Sequence, residues 1–301
     1  MKRCLILCLL ACTTFSYAQQ PDLSIARAKY AYSHVRDTNN RANPHQEQML
    51  LVFGKNASVF TSLDRIERLQ QRINAIKQQN NENGGTSQVY RSSGVPRKLE
   101  TAVDIYAFTE EKKCFSIELI MTNKYVIEDS DLQINWQIGN DTSNVGGINC
   151  RKVTGRFKGR NWIAWYAPEI PVQCGPWKLN GLPGLIVLAY DERRDVQFKL
   201  EEMIPVTAEN IDESEEVIPL GTANSIFTNR QYFGKSIIMP KAIKTTKEDM
   251  NRLKDGITKN PQAAMNAMLG GQGTITQRSP SNPTTSNKAV NSYNNPIELK
   301  E

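Results

Sequence analysis

The sequence predicts an α+β domain dominated by β structure: a curved antiparallel sheet of half-barrel form, with one long helix packed on it. Three observations carry this prediction. Short runs of β-forming residues, many of them alternating apolar and polar, follow one another from Ala102 to Val206. The links between most of them are short, which selects antiparallel neighbours, because parallel strands need crossovers of a dozen residues or more. One stretch, Leu63 to Gln79, instead has Leu63, Ile66, Leu69, Ile73 and Ile76 at helical spacing with Arg, Glu, Gln and Lys between them.

Taken in order, residues 26–36 read as a first strand and Asp37 to His45 as a turn-rich link. Gln48 to Phe53 and Ser58 to Ser62 read as a hairpin closed by Gly54-Lys55-Asn56. The helix over 63–79 is followed by a polar, Gly- and Ser-bearing loop from Asn80 to Arg97. Strands are expected at 103–108, 114–120, 125–128, 132–138, 147–153, 161–166, 185–190 and 196–206. The run Leu132 to Ile138 has strict period two. The acidic stretch within 207–230 is expected to cover an edge. Thr245 to Leu269 reads as a second helix with a break before Pro261, whose ring cannot continue a helix.

The chain has 301 residues, 39% hydrophobic, 23% charged and 8% aromatic. Its mean hydropathy is −0.49, which excludes a protein of many membrane spans. The N-terminus combines Lys2-Arg3, the short apolar run Cys4 to Cys12 and the small residues Ser16 and Ala18. This is a secretory signal with cleavage after Ala18, too short to span a bilayer. Leu9-Leu10-Ala11-Cys12 also resembles a lipobox, which would make Cys12 a lipid anchor; the later site fits better. The expected organisation is therefore a signal peptide at 1–18, one β-rich domain at 19–269 and a low-complexity, disordered tail at 270–301. No transmembrane span is expected in the mature chain.

Net charge is +6, from 37 Lys+Arg against 31 Asp+Glu. Without Lys2 and Arg3 it falls to +4. No basic stripe with interleaved aromatics is present, so nucleic acid is not an expected partner. The domain keeps Cys114, Cys150 and Cys174. In an oxidising compartment two could pair, Cys150 and Cys174 being the candidates, or all three could be buried thiols. His34 and His45 belong to no H-E-x-x-H pattern, and no G-x-S-x-G elbow occurs. Gly234-Lys235-Ser236 lacks the upstream Gly of a phosphate loop. No metal or other cofactor is expected.

The informative stretch is 156–191, which holds Trp162, Trp165 and Trp177 and the prolines Pro168, Pro171, Pro176 and Pro183. Arg160 to Tyr166 is a strand apolar on both faces, hence central or covered. Pro168 and Pro171 end it. Gly175, Gly181 and Gly184 with the prolines then define a loop whose Leu182, Leu185 and Ile186 call for burial. Such a loop is a rigid plug or a recognition surface, and burial of leucines favours the plug. The candidate ligand-binding side chains are Trp162, Trp165, Tyr166 and Trp177.

Gly181-Leu182-Pro183-Gly184-Leu185-Ile186 matches the hexapeptide that names the GLPGLI family, and the flanks resemble that family too. They include Gly159-Arg160, Trp162, Ala164-Trp165-Tyr166, Pro168-Glu169-Ile170-Pro171 and Gly175-Pro176-Trp177-Lys178-Leu179. Gly147-Ile148-Asn149-Cys150-Arg151-Lys152, Asp37-Thr38, Ser58-Val59-Phe60 and the C-terminal Asn295-Pro296-Ile297-Glu298-Leu299 extend the resemblance over nearly the whole mature chain. It implies an exported, periplasmic protein of a Gram-negative envelope and carries over no catalytic residue. The layout is similar to periplasmic lipoprotein carriers by analogy of fold alone. Three functions follow as expectations: a binding or carrier module for an apolar or peptide ligand, an accessory protein docking to an outer-membrane transporter, and a hydrolase using carboxylates. For the last, Glu169 is the candidate, provided that burial raises its pKa. The first is preferred, because no catalytic signature is present.

Overall fold

The computed structural model describes residues 21–82, 99–121, 123–130, 132–220, 223–261, 263 and 293–299. The expected signal peptide at 1–18, the lipobox cysteine Cys12 and most of the expected tail lie outside them. After the two-residue β1 (Asp22–Leu23), six strands follow in succession: β2 (Ala26–His34), β3 (His45–Phe53), β4 (Ala57–Ser62), β5 (Val103–Phe108), β6 (Lys113–Ile120) and β7 (Asn123–Asp129). Helix α1 (Leu63–Glu82) lies between β4 and β5. A second succession is β8 (Gln137–Val145), β9 (Ile148–Phe157), β10 (Arg160–Ala167), β11 (Leu185–Asp191) and β12 (Val196–Pro205). The small elements β13 (Glu215–Leu220), β14 (Ala223–Thr228), α2 (Arg230–Phe233), β15 (Ser236–Ile237) and β16 (Ile243–Lys244) precede α3 (Lys247–Lys259).

Each succession is an antiparallel meander, and the last strand of the second pairs with the first strand of the first. The result is one sheet of order β16-β7-β6-β5-β4-β3-β2-β12-β11-β10-β9-β8, curved and unclosed. The β2–β12 seam runs from Val196 opposite His34 to Pro205 opposite Ala26, and Tyr32 stacks on Phe198 across it with ring centroids 4.9 Å apart. One pairing departs from the expected antiparallel pattern. The short β16 runs parallel to β7, Ile243 opposite Tyr125, before the chain turns into α3.

Alternation along the strands sends two sets of side chains to two cores. Ala28, Tyr30, Met49, Leu51, Phe53, Phe60 and Ile105 from the first meander meet Val153, Trp162, Ala164, Tyr166 and Phe198 from the second in one inner cluster. Leu50, Val52, Val59, Tyr106 and Ile117 point the other way, where Ile66 and Ile73 of α1 cover them. Helix α1 begins where Ser62 accepts a hydrogen bond from the Arg65 amide, an N-cap with Asp64 in the first turn.

Two expected elements come out differently. Leu132 to Trp136 forms no strand; it is the link that carries the chain from β7 to β8, at the far edge of the sheet. Its Leu132, Ile134 and Trp136 pack on the inner cluster, and the Trp136 indole donates to the Asn180 carbonyl at 2.8 Å. Period two reports an extended chain with one buried side, whether or not its backbone finds a ladder. The acidic stretch forms its own two-stranded hairpin, β13 with β14, outside the large sheet.

The end of the expected disordered tail is also corrected. Residues 293–299 are seated on the domain. The Asn295 amide donates to the Arg36 carbonyl at 3.1 Å and the Leu299 amide to the Lys158 carbonyl at 3.1 Å.

Candidate functional site

The concave face of the first meander is not filled by its own side chains. A cavity of about 450 Å³ remains there. Its floor is Tyr32, Met49, Phe60, Val103, Ile105 and Phe198, residues of the inner-pointing set. Met250 of α3, with Pro296 and Ile297 of the seated C-terminal segment, supplies further apolar wall. Thr246 caps α3 by accepting from the Asp249 amide, and Lys254 of that helix pairs with Glu118 of β6 at 2.6 Å. The helix is thereby fastened across the sheet it covers.

At one side stands Trp177-Lys178, delivered by the Gly/Pro loop between β10 and β11. Lys178 is buried, and its ammonium bridges Asp129 of β7 at 2.6 Å and Glu298 of the C-terminal segment at 2.7 Å. Ser116 donates to the second Asp129 oxygen at 2.6 Å, and Lys247 reaches Glu298 at 3.0 Å. Burial alone would raise the Glu298 pKa, but Lys178 and Lys247 outweigh it and hold the carboxyl below its usual range. The same two carboxylates outweigh burial for Lys178 and keep its pKa raised. A second cavity of about 590 Å³ adjoins the first and shares Ile105, Asp129, Trp177 and Lys178 with it. The Trp-Lys pair is thus a partition in one concave space.

Trp177 has φ of +55°, a left-handed conformation uncommon for a bulky residue. It is over-determined by packing: the ring meets Phe157 edge-on and Trp162 at a tilt, both at 5.6 Å between centroids. Backbone strain of this kind, of the order of 1–3 kcal/mol, marks positions where geometry matters more than local comfort.

Of the four aromatic candidates, only Trp177 lines the cavities. Trp162 lies behind it, 1% exposed, with its indole N–H donated to the Phe157 carbonyl. Tyr166 is buried in the inner cluster and Trp165 packs half-buried against it. The hexapeptide serves the loop itself. Leu182, Leu185 and Ile186 are in the inner cluster, while Gly181 and Pro183 stay exposed. The Ile186 carbonyl accepts from the Tyr30 hydroxyl at 2.7 Å, and the Leu185 amide donates to the Ile170 carbonyl at 3.0 Å. A Cβ on Gly184 would stand 2.2 Å from the Ala167 carbonyl oxygen, so the loop can re-enter the sheet there only without a side chain.

The disulfide candidates Cys150 and Cys174 are unpaired. Among the described residues the three thiols, Cys114, Cys150 and Cys174, are free and buried, and Cys150 turns its sulfur toward the Ile148 carbonyl of its own strand at 3.4 Å. Burial pushes Cys114 and Cys174 up to about 12 and Cys150 to about 11, which leaves them as inert protonated thiols. Glu169 is exposed, in a shallow pocket with Cys150 and Arg151 away from the concave face. The burial on which its candidacy as an acid rested is absent.

Both histidines lie together at the end of the β2–β3 pair, opposite one another. His34 meets the Tyr32 hydroxyl at 2.9 Å, and His45 meets Glu47 at 2.9 Å. Glu47 also accepts from the amide and hydroxyl of Thr101, both at 2.7 Å. Tyr32 and Thr101 then line the cavity. Among the described residues no three His, Cys, Asp or Glu side chains gather as a metal ion would require.

Sequence reasoning missed Asp129 and Met250. Lys178 and Glu298 each stood in a quoted motif, but nothing in the sequence tied Lys178 to carboxylates 49 and 120 residues away.

A model of the family described as "Protein of unknown function (Porph_ging)" matches residues 156–188, from the end of β9 through the Gly/Pro loop into β11. No curated protein matches the chain. Among solved structures, two crystal forms of PNGF-II are similar, with TM-scores of 0.46 and 0.45 at 9% and 8% identity. The likeness covers 76% of this chain, which spans about a third (32%) of the length of those chains.

Proposed function

We propose that the protein is a non-catalytic binding or carrier module of the cell envelope, taking an apolar or peptide ligand on the concave face of its half-barrel. One observation supports this most directly: a cavity of about 450 Å³ with an apolar floor, between the sheet, α3 and the C-terminal segment. That size falls within the roughly 300–1,000 Å³ of small-molecule sites, which are concave and mostly apolar with a few fixed polar groups. Here the polar groups include Lys178, Asp129 and Glu298, which are paired with one another, and Glu118 and Lys254, paired likewise, so the site does not demand a charged ligand. The reading belongs with membership of the GLPGLI family, export to the periplasm after cleavage behind Ala18, and likeness to lipoprotein carriers. Anchoring through Cys12 is the alternative placement.

The test is native mass spectrometry of the full chain, exported to a periplasm and gently purified. The expected result is an added mass that denaturation removes and that Phe60→Trp, which fills the cavity floor, reduces severalfold. A clean mass for residues 19–301, with no adduct and no binding of an apolar fluorescent probe displaced by that substitution, would overturn the reading.

A further inference from the structure

The two adjoining cavities offer a ligand different chemistry. The first has an apolar floor, and the charges around it cancel: Glu118 is paired with Lys254, and Asp129 and Glu298 with Lys178 and Lys247. Its interior therefore rewards alkyl surface and offers no free charge. The second is two-sided. Leu132, Ile134 and Leu179 continue the apolar lining, while Thr109, Gln133 and Gln173 bring hydroxyl and amide groups. Ile105 and Trp177 belong to both cavities, so the apolar surface runs on from one to the other.

The second cavity also carries positive charge that its lining does not cancel. Lys112 and Lys113 line it, both exposed, on the turn between β5 and β6. That turn is closed by the Lys112 amide donating to the Thr109 carbonyl at 3.2 Å. Lys112 makes no ion pair among the described residues, and Lys113 reaches Glu111 only loosely, at 3.9 Å. Glu110 and Glu111 of the same turn do not line the cavity; its one carboxylate is Asp129, already taken by Lys178 and Ser116. A third ammonium, that of Lys158, donates to the carbonyl of the lining residue Ser130 at 3.0 Å. An apolar space thus opens, past Trp177, onto a cationic rim.

We propose that the two cavities form one site for a long-chain carboxylate, its alkyl chain in the first cavity and its carboxylate beside Lys112 and Lys113 at the rim of the second. This inference rests on the binding reading of the concave face and names the class of ligand. The opposite orientation would bury the carboxylate among charges that already have partners, at the cost of its hydration. One unpaired ammonium with a second loosely held suits a monoanion better than a phosphate monoester, whose charge is roughly −1.5 to −2.

The test is displacement of an apolar fluorescent probe from the full chain by decanoate, dodecanoate and tetradecanoate and by the matching alcohols. Affinity is expected to rise about fourfold per added methylene until the first cavity is full. Each carboxylate should bind about fivefold more tightly than its alcohol at low salt, a margin that added salt shrinks. Lys112→Gln with Lys113→Gln, at exposed positions, should remove that margin and leave the alcohols unchanged. Phe60→Trp should make affinity level off at a shorter chain for both series. Alcohols that bind as tightly as carboxylates, or a margin that survives the double lysine substitution, would overturn the head-group assignment while the binding reading stands. A chain-length profile that Phe60→Trp leaves unaltered would overturn the placement of the chain. Failure of the probe and of both series to bind would overturn this inference and the binding reading together.

Discussion

At the scale of single residues, the glycines of the hexapeptide divide by physical cause. Gly184 is a matter of space, since any Cβ meets the Ala167 backbone, and backbone cannot step aside as a side chain can. Gly181 has φ of +82° and open space where a Cβ would go, so it is a matter of conformation only. Gly184→Ala is therefore expected to destabilise by about 3 kcal/mol through overpacking. Gly181→Ala should cost about 1–2 kcal/mol, the left-handed penalty for an L-residue. Urea unfolding of both variants checks the order, and equal costs would contradict it. The hexapeptide's Gly, Pro and buried leucines were legible as a shaped loop. The partner of Gly184 was not, because Ala167 carries no mark of its role.

At the scale of elements, the apolar period of α1 was readable because a helix that rests on a sheet must show one face to it. Ile73 is buried against the outer face of the first meander, while Gln71 is exposed. Ile73→Ala should cost about 2–4 kcal/mol by leaving a cavity, whereas Gln71→Ala should stay within about 0.5 kcal/mol. Thermal or denaturant midpoints decide between this and a helix that contributes nothing. The link from Leu132 to Trp136 teaches the opposite lesson. Its alternation was as regular as any strand's, and its neighbours in space decided that it would have no ladder. The same holds for residues 293–299: their composition predicts disorder, and Arg160, Gly159 and Val35 order them from a distance in sequence.

At the scale of the molecule, the buried polar groups at the end of the β2–β3 pair set a pH dependence. Burial, with Arg160 and Arg36 nearby, depresses the His34 pKa from 6.5 to about 4. The unfolded chain binds the proton more readily, so stability is full above pH 6.5 and falls as pH drops toward 4, by up to about 3 kcal/mol. Glu47 continues the trend lower down. Burial would raise its pKa, but hydrogen bonds from His45, Ser62 and Thr101 outweigh it and hold the value at about 2. Its contribution is present above the ordinary 4.5 and is lost as pH falls toward 2. Urea midpoints from pH 7 to 4 are expected to fall, and His34→Gln should flatten the upper part of that profile. A flat profile in the unsubstituted protein would show that His34 is not buried neutral.

What the sequence by itself determined is the β-dominated class, the order of most strands, the amphipathic helix and the shaped loop. These depend on periodicity and on Gly and Pro, which act within a few residues of where they stand. The tertiary structure alone decided that Lys178 meets Asp129 and Glu298, that the concave face keeps a cavity, and that the last residues return to lie beside Arg160. Those arrangements arise from the joining of two meanders along β2 and β12. That pairing sets which distant side chains share an interior, and no local pattern records it.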